Sequence, residues 1–118
     1  MTTETLQDFS VRFLDDWNSH DLDRIMSHYS EDFVITSPII QSRLGINDGT
    51  IKGKENVRKW WERALTVVPD LTFTFHDTAI ASDGTLLLMY HSSHNGKTIA
   101  SAFTFNDEGL ICREFYYN

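Results

Sequence analysis

The first part of the chain carries apolar residues at helical spacing. From Leu6 to Trp17 they recur every three or four positions, which predicts an amphipathic helix with one buried face. Asp21 is then placed to cap a short second helix. The clearest periodicity runs over residues 54–68 and ends at Pro69, a residue that cannot continue a helix. The pattern therefore predicts three helices.

The pattern changes between the second and third helices. Residues 33–36 are mostly apolar and β-branched, which predicts a short strand that stops at Ser37-Pro38. Residues 39–52 show no clear period. Asn47-Asp48-Gly49 predicts a turn within them, and a small hairpin is one interpretation of its two flanks.

The second half alternates between apolar and polar positions and is divided by turn residues. Asn95-Gly96 is the strongest turn signal, because a tight hairpin turn needs positive φ at both central positions. Four consecutive antiparallel strands are predicted, at 71–81, 85–94, 98–105 and 110–117. Helices followed by such a meander indicate an α+β fold, a cone-shaped curved antiparallel (mixed) sheet wrapped around the three helices with one open end.

Length and charge narrow the class of protein. A chain of 118 residues is long enough for one domain, 1–118, and too short for two. Its formal net charge of −7 argues against nucleic acid and anionic membrane surfaces as partners. The lone Cys112 excludes an internal disulfide, and polar residues directly after Met1 predict no signal peptide. A cytoplasmic location is expected.

Four short motifs follow one another along nearly the whole chain. They are residues 17–23 (WNSHDLD), 29–33 (YSEDF), 53–61 (GKENVRKWW) and 113–117 (REFYY). In this order the chain resembles the nuclear transport factor 2-like superfamily, in particular its SnoaL-like members. The resemblance implies the cone-shaped fold. It leaves the activity open, because this superfamily includes isomerases, cyclases, dehydratases, hydrolases and binding modules without catalysis.

Ketosteroid isomerase is the relative whose chemistry gives the sharpest comparison. It needs a carboxylate base, together with a tyrosine and a protonated aspartate that stabilise an enolate oxygen. Matching to that family places the tyrosine at Phe13, the base at Ser37 and the aspartate at Ser101. These side chains cannot replace the originals at neutral pH. The resemblance therefore implies the fold without ketosteroid isomerase activity.

The same matching implies an aromatic-walled cavity with a few polar groups, the usual composition of a small-molecule site. Helices and alternate strand positions would line it, and a small apolar ligand or substrate is the expected partner. The implied ligand-binding residues are Phe13, Trp17, Tyr29, Ser37, Trp60, Tyr90, Ser92, Ser101, Phe103 and Asn118.

Three residues of this cavity are candidates for catalysis, namely Glu114, Tyr116 and His94. Aromatic neighbours would partly desolvate the Glu114 carboxylate and raise its pKa toward the range of a general base. The alternatives for Glu114 are an ion pair with Arg113, Arg12 or another cation, or a hydrogen bond to Tyr116. His94 is a candidate partner acid, but it lies beside a hairpin turn, where a histidine is usually solvated.

No metal site and no cofactor are predicted. His91 and His94 have ligand-like spacing, but residues three apart on a strand point to opposite faces. The sequence has no His-Glu-x-x-His pattern, no glycine-rich phosphate loop and no nucleophile elbow.

The outward positions of the meander are apolar as well. They are Leu87, Met89, Ala100, Ala102, Ile111, Phe115 and Tyr117. Such a surface is too apolar to be left in water. Relatives in the superfamily commonly form dimers through these sheet faces, so a homodimer is expected.

Three classes of function agree with these patterns. The first is an isomerase, cyclase or dehydratase that acts on an apolar carbonyl compound by proton transfer, with Glu114 as base and Tyr116, Tyr90 or Ser101 as hydrogen-bond donors. The second is a non-catalytic domain that binds a small hydrophobic ligand. The third is a protein-interaction module, for which the cone would be filled by its own side chains.

Overall fold

The computed structural model describes residues 3–45, 48–94 and 96–117. Within these ranges the helices are α1 (Thr3–Asn18), α2 (Leu22–Met26), α3 (Pro38–Leu44) and α4 (Lys54–Val67). The strands are β1 (Tyr29–Thr36), β2 (Thr50–Lys52), β3 (Phe73–Ile80), β4 (Leu86–Ser92), β5 (Thr98–Phe105) and β6 (Ile111–Tyr117). The predicted α+β class is confirmed.

The six strands form one mixed sheet in the order β2-β1-β6-β5-β4-β3. The predicted meander is β3 to β6, and the β1–β6 pair is the parallel one. Helix α1 packs against β3 and helix α4 against β1, although these strands lie far apart in the sheet. The rings of Trp17 on α1 and Trp61 on α4 are nevertheless 4.9 Å apart. The sheet must therefore curve around a shared core.

The end of α1 is fastened to the beginning of β3. The Asn18 amide donates to the Phe73 carbonyl at 2.8 Å and accepts from the Phe73 N–H at 2.7 Å. The ring of His20, a residue with a φ of 58°, bonds the Leu71 carbonyl at 2.6 Å. Asp21 caps α2 as predicted, accepting from the N–H groups of Asp23 and Arg24. These bonds explain why polar residues interrupt the helical pattern here.

Helix α3 corrects the predicted helix count and the hairpin interpretation of residues 39–52. Ser37 accepts from the Ile39 N–H at 3.2 Å, Pro38 occupies the first turn, and Gly45 ends the helix at a φ of 67°. Only the arm after the turn is a strand, since β2 pairs with β1. The Asn47 and Asn95 positions of the predicted turns lie outside the described residues.

The prediction that Ile111 faces outward is wrong. Ile111 is fully buried, and so is Glu114, three residues further along β6. A register shift between the β5 residues Thr104 and Phe105 places an extra residue on β6, so that Phe105 pairs with Ile111 and Thr104 with Arg113. Such a bulge reverses the alternation of side chains. Strand β1 also begins at Tyr29, earlier than the predicted residue 33.

Candidate functional site

Glu114 is the one charged residue of the described chain that lies in the core, with 4% of its surface exposed. Its partners across the sheet are Phe103 on β5 and Ile35 on the parallel strand β1, both almost inaccessible to water. A carboxyl group in such surroundings has lost nearly all of its hydration. It must be hydrogen bonded or neutral to be tolerated there.

Two hydroxyl groups form a hydrogen-bonded chain that ends on this carboxyl. Ser101 Oγ donates to Glu114 Oε2 at 3.1 Å, and the Tyr90 hydroxyl lies 2.9 Å from the same Ser101 Oγ. A serine hydroxyl carries one proton. Because Ser101 gives that proton to Glu114, it accepts from Tyr90. The order of donation is therefore Tyr90 to Ser101 to Glu114.

The second carboxyl oxygen has no such partner. Glu114 Oε1 and the Tyr29 hydroxyl are buried side-chain atoms of the described residues without a hydrogen bond of good geometry. The two groups lie close enough for Tyr29 to lower the pKa of Glu114, and the Trp17 side chain lowers that of Tyr29. We conclude that the two groups are neighbours without a direct bond, leaving one acceptor and one hydroxyl available to a third group.

Burial raises the pKa of Glu114 from 4.5 to about 8. The hydrogen bond from Ser101 and the nearby Tyr29 hydroxyl act in the opposite direction but do not offset the loss of water. At pH 7 the neutral carboxyl then outnumbers the carboxylate about tenfold. Burial also raises the pKa of the Tyr29 and Tyr90 phenols, and the nearby Glu114 raises both further. These phenols stay protonated and can act only as neutral donors or acceptors at neutral pH.

Aromatic side chains fill the space beside the carboxyl. The ring of Tyr29 lies 4.5 Å from that of Phe33 and 4.9 Å from that of Trp61, and the Phe103 ring lies 5.1 Å from Phe13. Tyr29, Phe33 and Phe103 are all fully buried. The sequence predicted an aromatic-walled cavity here. The structure shows the predicted walls Phe13, Tyr29 and Phe103 in contact with one another or with Phe33 and Trp61, so the region around Glu114 is closed to water.

Two grooves open elsewhere on the surface. One, of about 360 Å³, runs along α1 past Asp16 and Arg24, and the other, of about 520 Å³, lies between α1 and the β3–β4 and β5–β6 turns. Neither groove is lined by Glu114, Ser101 or Tyr90. The carboxyl is therefore not reached through either of them.

The structure brings seven of the predicted site residues together in the core. They are Phe13, Trp17, Tyr29, Tyr90, Ser101, Phe103 and Glu114. Tyr116, half-buried, is paired with Ser101 across the β5–β6 ladder. Ser37 and Ser92 are buried but serve the backbone, because Ser37 caps α3 and Ser92 accepts from the His94 N–H at 3.3 Å.

Three other predicted residues lie apart from the carboxyl or outside the described ranges. His94 is exposed in the turn after β4, beyond Ser92, so no contact links it to Glu114. Trp60 is half-buried, and the indole that packs on Tyr29 and Trp17 belongs to Trp61 instead. Asn118 is outside the described residues.

A second polar cluster was not predicted. Asp16 Oδ2 lies 2.6 Å from His28 Nε2, and Asp16 Oδ1 accepts from Arg24 at 2.7 and 3.1 Å. Burial raises the pKa of Asp16, but the bonds from His28 and Arg24 outweigh it, so the pKa lies below its usual value. Asp16 and His28 belong to different elements, and no periodic pattern relates them. Only the packing of α1 against α2 and the turn that follows α2 brings them together.

The part of the chain that the structure describes contains neither a cluster of metal ligands nor a membrane-spanning helix. There, no three His, Cys, Asp or Glu side chains are grouped so that they could hold a metal ion. None of the helices within the same ranges is long and apolar enough to cross a membrane.

The curved mixed sheet and its helices form the cone-shaped α+β fold of the nuclear transport factor 2-like class. Residues 11–114 match the SnoaL-like domain family. The chain therefore belongs to the SnoaL-like family. A comparison with curated protein sequences finds no match.

Solved structures support the same assignment. A SnoaL-like protein of unknown function from Burkholderia thailandensis E264 is 33% identical, with a TM-score of 0.90 over 98% of this chain and 94% of its own. AclR of Streptomyces galilaeus, a proposed hydroxylase, is 18% identical with a TM-score of 0.72, over 98% and 89%. A proposed isomerase of the SnoaL-like family from Agrobacterium tumefaciens C58 is 15% identical with a TM-score of 0.69, over 98% and 95%. The last two show similarity of fold alone.

Proposed function

We propose that this protein catalyses proton transfer on a small apolar carbonyl compound, with Glu114 as the general base. The observation that carries the proposal is the buried carboxyl whose Oε1 has no hydrogen-bond partner in the described residues, while its Oε2 is held by Ser101. A base works best when its pKa is near the working pH, and burial raises the pKa of Glu114 to about 8. One of the proteins of similar fold is a proposed isomerase of the SnoaL-like family.

The proposed reaction is an isomerisation that needs no co-reactant. Glu114 Oε1 takes a proton from the carbon next to the carbonyl, and the breaking C–H bond leaves its electron pair in an enolate. The Tyr29 hydroxyl, which has no partner of good geometry, donates to the enolate oxygen. Glu114 then returns the proton to a second carbon. The Tyr90–Ser101 chain stabilises the carboxylate form of Glu114 before the first transfer and after the second.

The rings of Tyr29, Phe33 and Trp61 occupy the space that a substrate would need. Binding therefore requires these rings to move apart, which makes entry sensitive to the size of the substrate. A substrate in their place would lie against the carboxyl in water-excluded surroundings. The same exclusion keeps the pKa of Glu114 high.

The experiment begins with a thermal-shift screen of apolar ketones and lactones, followed by turnover assays on each compound that stabilises the fold. Glu114→Gln keeps the shape of the side chain but cannot accept a proton. We expect it to lower kcat by about 10²- to 10⁴-fold while ligand binding stays nearly unchanged. Glu108→Gln, on the exposed β5–β6 turn, is the matched control. Full activity of Glu114→Gln would refute the role of Glu114.

A second candidate function is favoured by the filled interior. A non-catalytic module that binds protein partners or a copy of itself needs no internal cavity, and the core aromatic rings are in mutual contact. A screen in which no compound stabilises the fold would favour this candidate, and the outer surface of the sheet would then be the place where partners bind.

That outer surface is the basis for a proposed homodimer. Leu87, Phe115 and Tyr117 are 41%, 37% and 53% exposed, and the rings of Phe115 and Tyr117 stack at 6.5 Å. Phe115 is paired with Ala102 across the β5–β6 ladder, so the patch continues over neighbouring strands. Apolar residues grouped in this way are typical of protein interfaces.

Phe115→Ala is expected to weaken the homodimer about tenfold or more, because an aromatic anchor at an interface centre contributes more than its neighbours. Val67→Ala removes an even more exposed apolar side chain, 71% accessible on α4, and should leave the dimer unchanged. Sedimentation of both variants over a dilution series measures the effect. A wild-type protein that remains a monomer at every concentration would contradict the homodimer itself.

A further inference from the structure

The groove of about 520 Å³ is separate from the Glu114 site and has the size of a small-molecule site. It lies between α1 and the two turns that join β3 to β4 and β5 to β6. Its apolar walls include Phe9, Leu86, Phe105 and Leu110, and its polar groups include Arg12 and His28. Such a groove combines apolar walls with side chains that carry a positive charge or donate hydrogen bonds. It is suited to an amphiphilic ligand rather than to a purely apolar one.

Arg12 gives the groove its positive charge. Its guanidinium lies 5.9 Å from the centre of the Phe9 ring, which holds the group against the groove wall. Among the described residues no carboxylate lies within ion-pair distance of Arg12. Asp8 and Asp15 line the neighbouring groove that Arg12 also borders, without pairing with it. Arg12 is thus available to an anion from solution.

His28 is held in a fixed orientation beside Arg12. Asp16 Oδ2 binds His28 Nε2 at 2.6 Å, and the ring contacts Phe9 and Phe13 edge-on, with centroid distances of 5.9 and 5.2 Å. Within the described residues no hydrogen bond is made to the other ring nitrogen, Nδ1. A protonated imidazole would donate from Nε2 to Asp16 and from Nδ1 to a ligand.

The Asp16 carboxylate beside the groove repels an anion less than a free carboxylate would. Asp16 is already shared between His28 and the Arg24 guanidinium, which binds its Oδ1 at 2.7 and 3.1 Å. The Arg24 guanidinium offsets its charge, and His28 occupies its other oxygen. Among the residues that line the groove, Arg12 is the one with a permanent charge.

We propose that this groove binds a small organic anion, a carboxylate carried on an apolar body of medium length. The carboxylate pairs with Arg12 and accepts from His28, and the apolar body lies along Phe9, Phe105 and Leu110. Asp16 is a positioning residue, because it holds the His28 ring. This site is independent of the proton-transfer function proposed for Glu114.

Octanoate is the probe for this site, with octan-1-ol as the uncharged probe of similar shape. Titration followed by ¹H–¹⁵N correlation spectra should give saturable shifts at Phe9, His28 and Leu110, with octanoate binding about tenfold tighter than octanol. Arg12→Gln should remove that preference. Arg58→Gln, which disrupts a surface pair with Asp23, should leave it unchanged.

Repeating the octanoate titration on Glu114→Gln distinguishes binding in the groove from binding at the Glu114 site in the core. If the groove is the binding site, this variant binds octanoate as the wild type does. Three results would overturn the proposal: no saturable shift at the groove, equal affinity for octanoate and octanol, or an affinity that Arg12→Gln leaves unchanged. Binding lost in Glu114→Gln but kept in Arg12→Gln would place octanoate in the core and also overturn it.

Discussion

Glu114→Gln is expected to make the protein more stable than the wild type near pH 8, and to flatten the dependence of stability on pH. Glutamine has the shape of the neutral glutamic acid and cannot ionise. At pH 8 the buried wild-type carboxyl must either carry a charge without hydration or keep a proton that it has lost in the unfolded chain. Both alternatives lower the free energy of unfolding. A substitution that removes an acid-base group would therefore raise stability, a common trade-off at functional sites.

The sign follows from the two pKa values of Glu114, 4.5 when unfolded and about 8 when folded. Between them the folded protein holds a proton that the unfolded chain has lost. The stabilising contribution is therefore complete below the unfolded pKa and is lost as the pH rises through the folded one. The slope is about −1.4 kcal/mol per pH unit, so the free energy of unfolding falls by roughly 5 kcal/mol at most across this window.

Urea unfolding at several pH values between the two pKa values measures this difference. The five histidines and other acidic groups titrate in both proteins, so the comparison between variant and wild type isolates Glu114. Glu62→Gln, at an exposed position of α4, should keep the wild-type slope. Parallel curves for the wild type and Glu114→Gln would show that the carboxyl has an ordinary pKa, and the proposed base would lose its physical basis.

The helices and the meander could be predicted because local chemistry and packing agree in them. The apolar spacing of α1 and α4 survives in the structure as the buried faces of Phe13, Trp17 and Trp61. The turns at Gly84, Gly96 and Gly109 all have positive φ, which a glycine adopts without strain. A glycine in a tight turn has a single structural reason, so its position in the sequence is sufficient to predict the turn.

The sequence did not predict helix α3 because the pair Ser37-Pro38 is compatible with two different structures. A proline after a serine ends a strand, but the same pair also begins a helix, with the serine as cap and the proline in the first turn. The seven residues of α3 are too few for a helical period to decide between them. Tertiary contacts settle the choice, since Ile40 is fully buried in the shared core.

The interior of the cone depends on contacts that no strand or helix pattern specifies. Alternation correctly places Glu114, Ser101 and Tyr90 on one face, but the bulge in β6 moves Ile111 to that face as well. Whether the enclosed space is open or filled is decided by the volumes of side chains that helices and strands contribute together. The sequence therefore predicted which polar residues lie inside the cone and did not show that aromatic rings fill the space beside them.

The second large effect is expected from Phe103→Ala, which should lower the free energy of unfolding by about 3–5 kcal/mol. Phe103 is fully buried, its ring lies 5.1 Å from that of Phe13, and it is paired with Leu86 and Glu114 across the sheet. Truncation leaves a cavity that the surrounding strands cannot close completely. Phe103→Leu, which keeps most of the volume, should lose much less and provides a folded protein if the alanine variant does not fold.

The cavity left by Phe103→Ala would have Glu114 on one side, so water that enters it finds hydrogen-bond partners and can remain. Water at the carboxyl removes the desolvation that raises the pKa of Glu114, and the pKa should fall back toward 4.5. The decrease of stability between pH 4.5 and 8 should then become shallower in Phe103→Ala but not in Phe103→Leu. Unfolding curves at matched pH values test this directly. An unchanged slope in the alanine variant would mean that the packed aromatic rings do not control the acidity of Glu114, and that dryness is not the reason for its raised pKa.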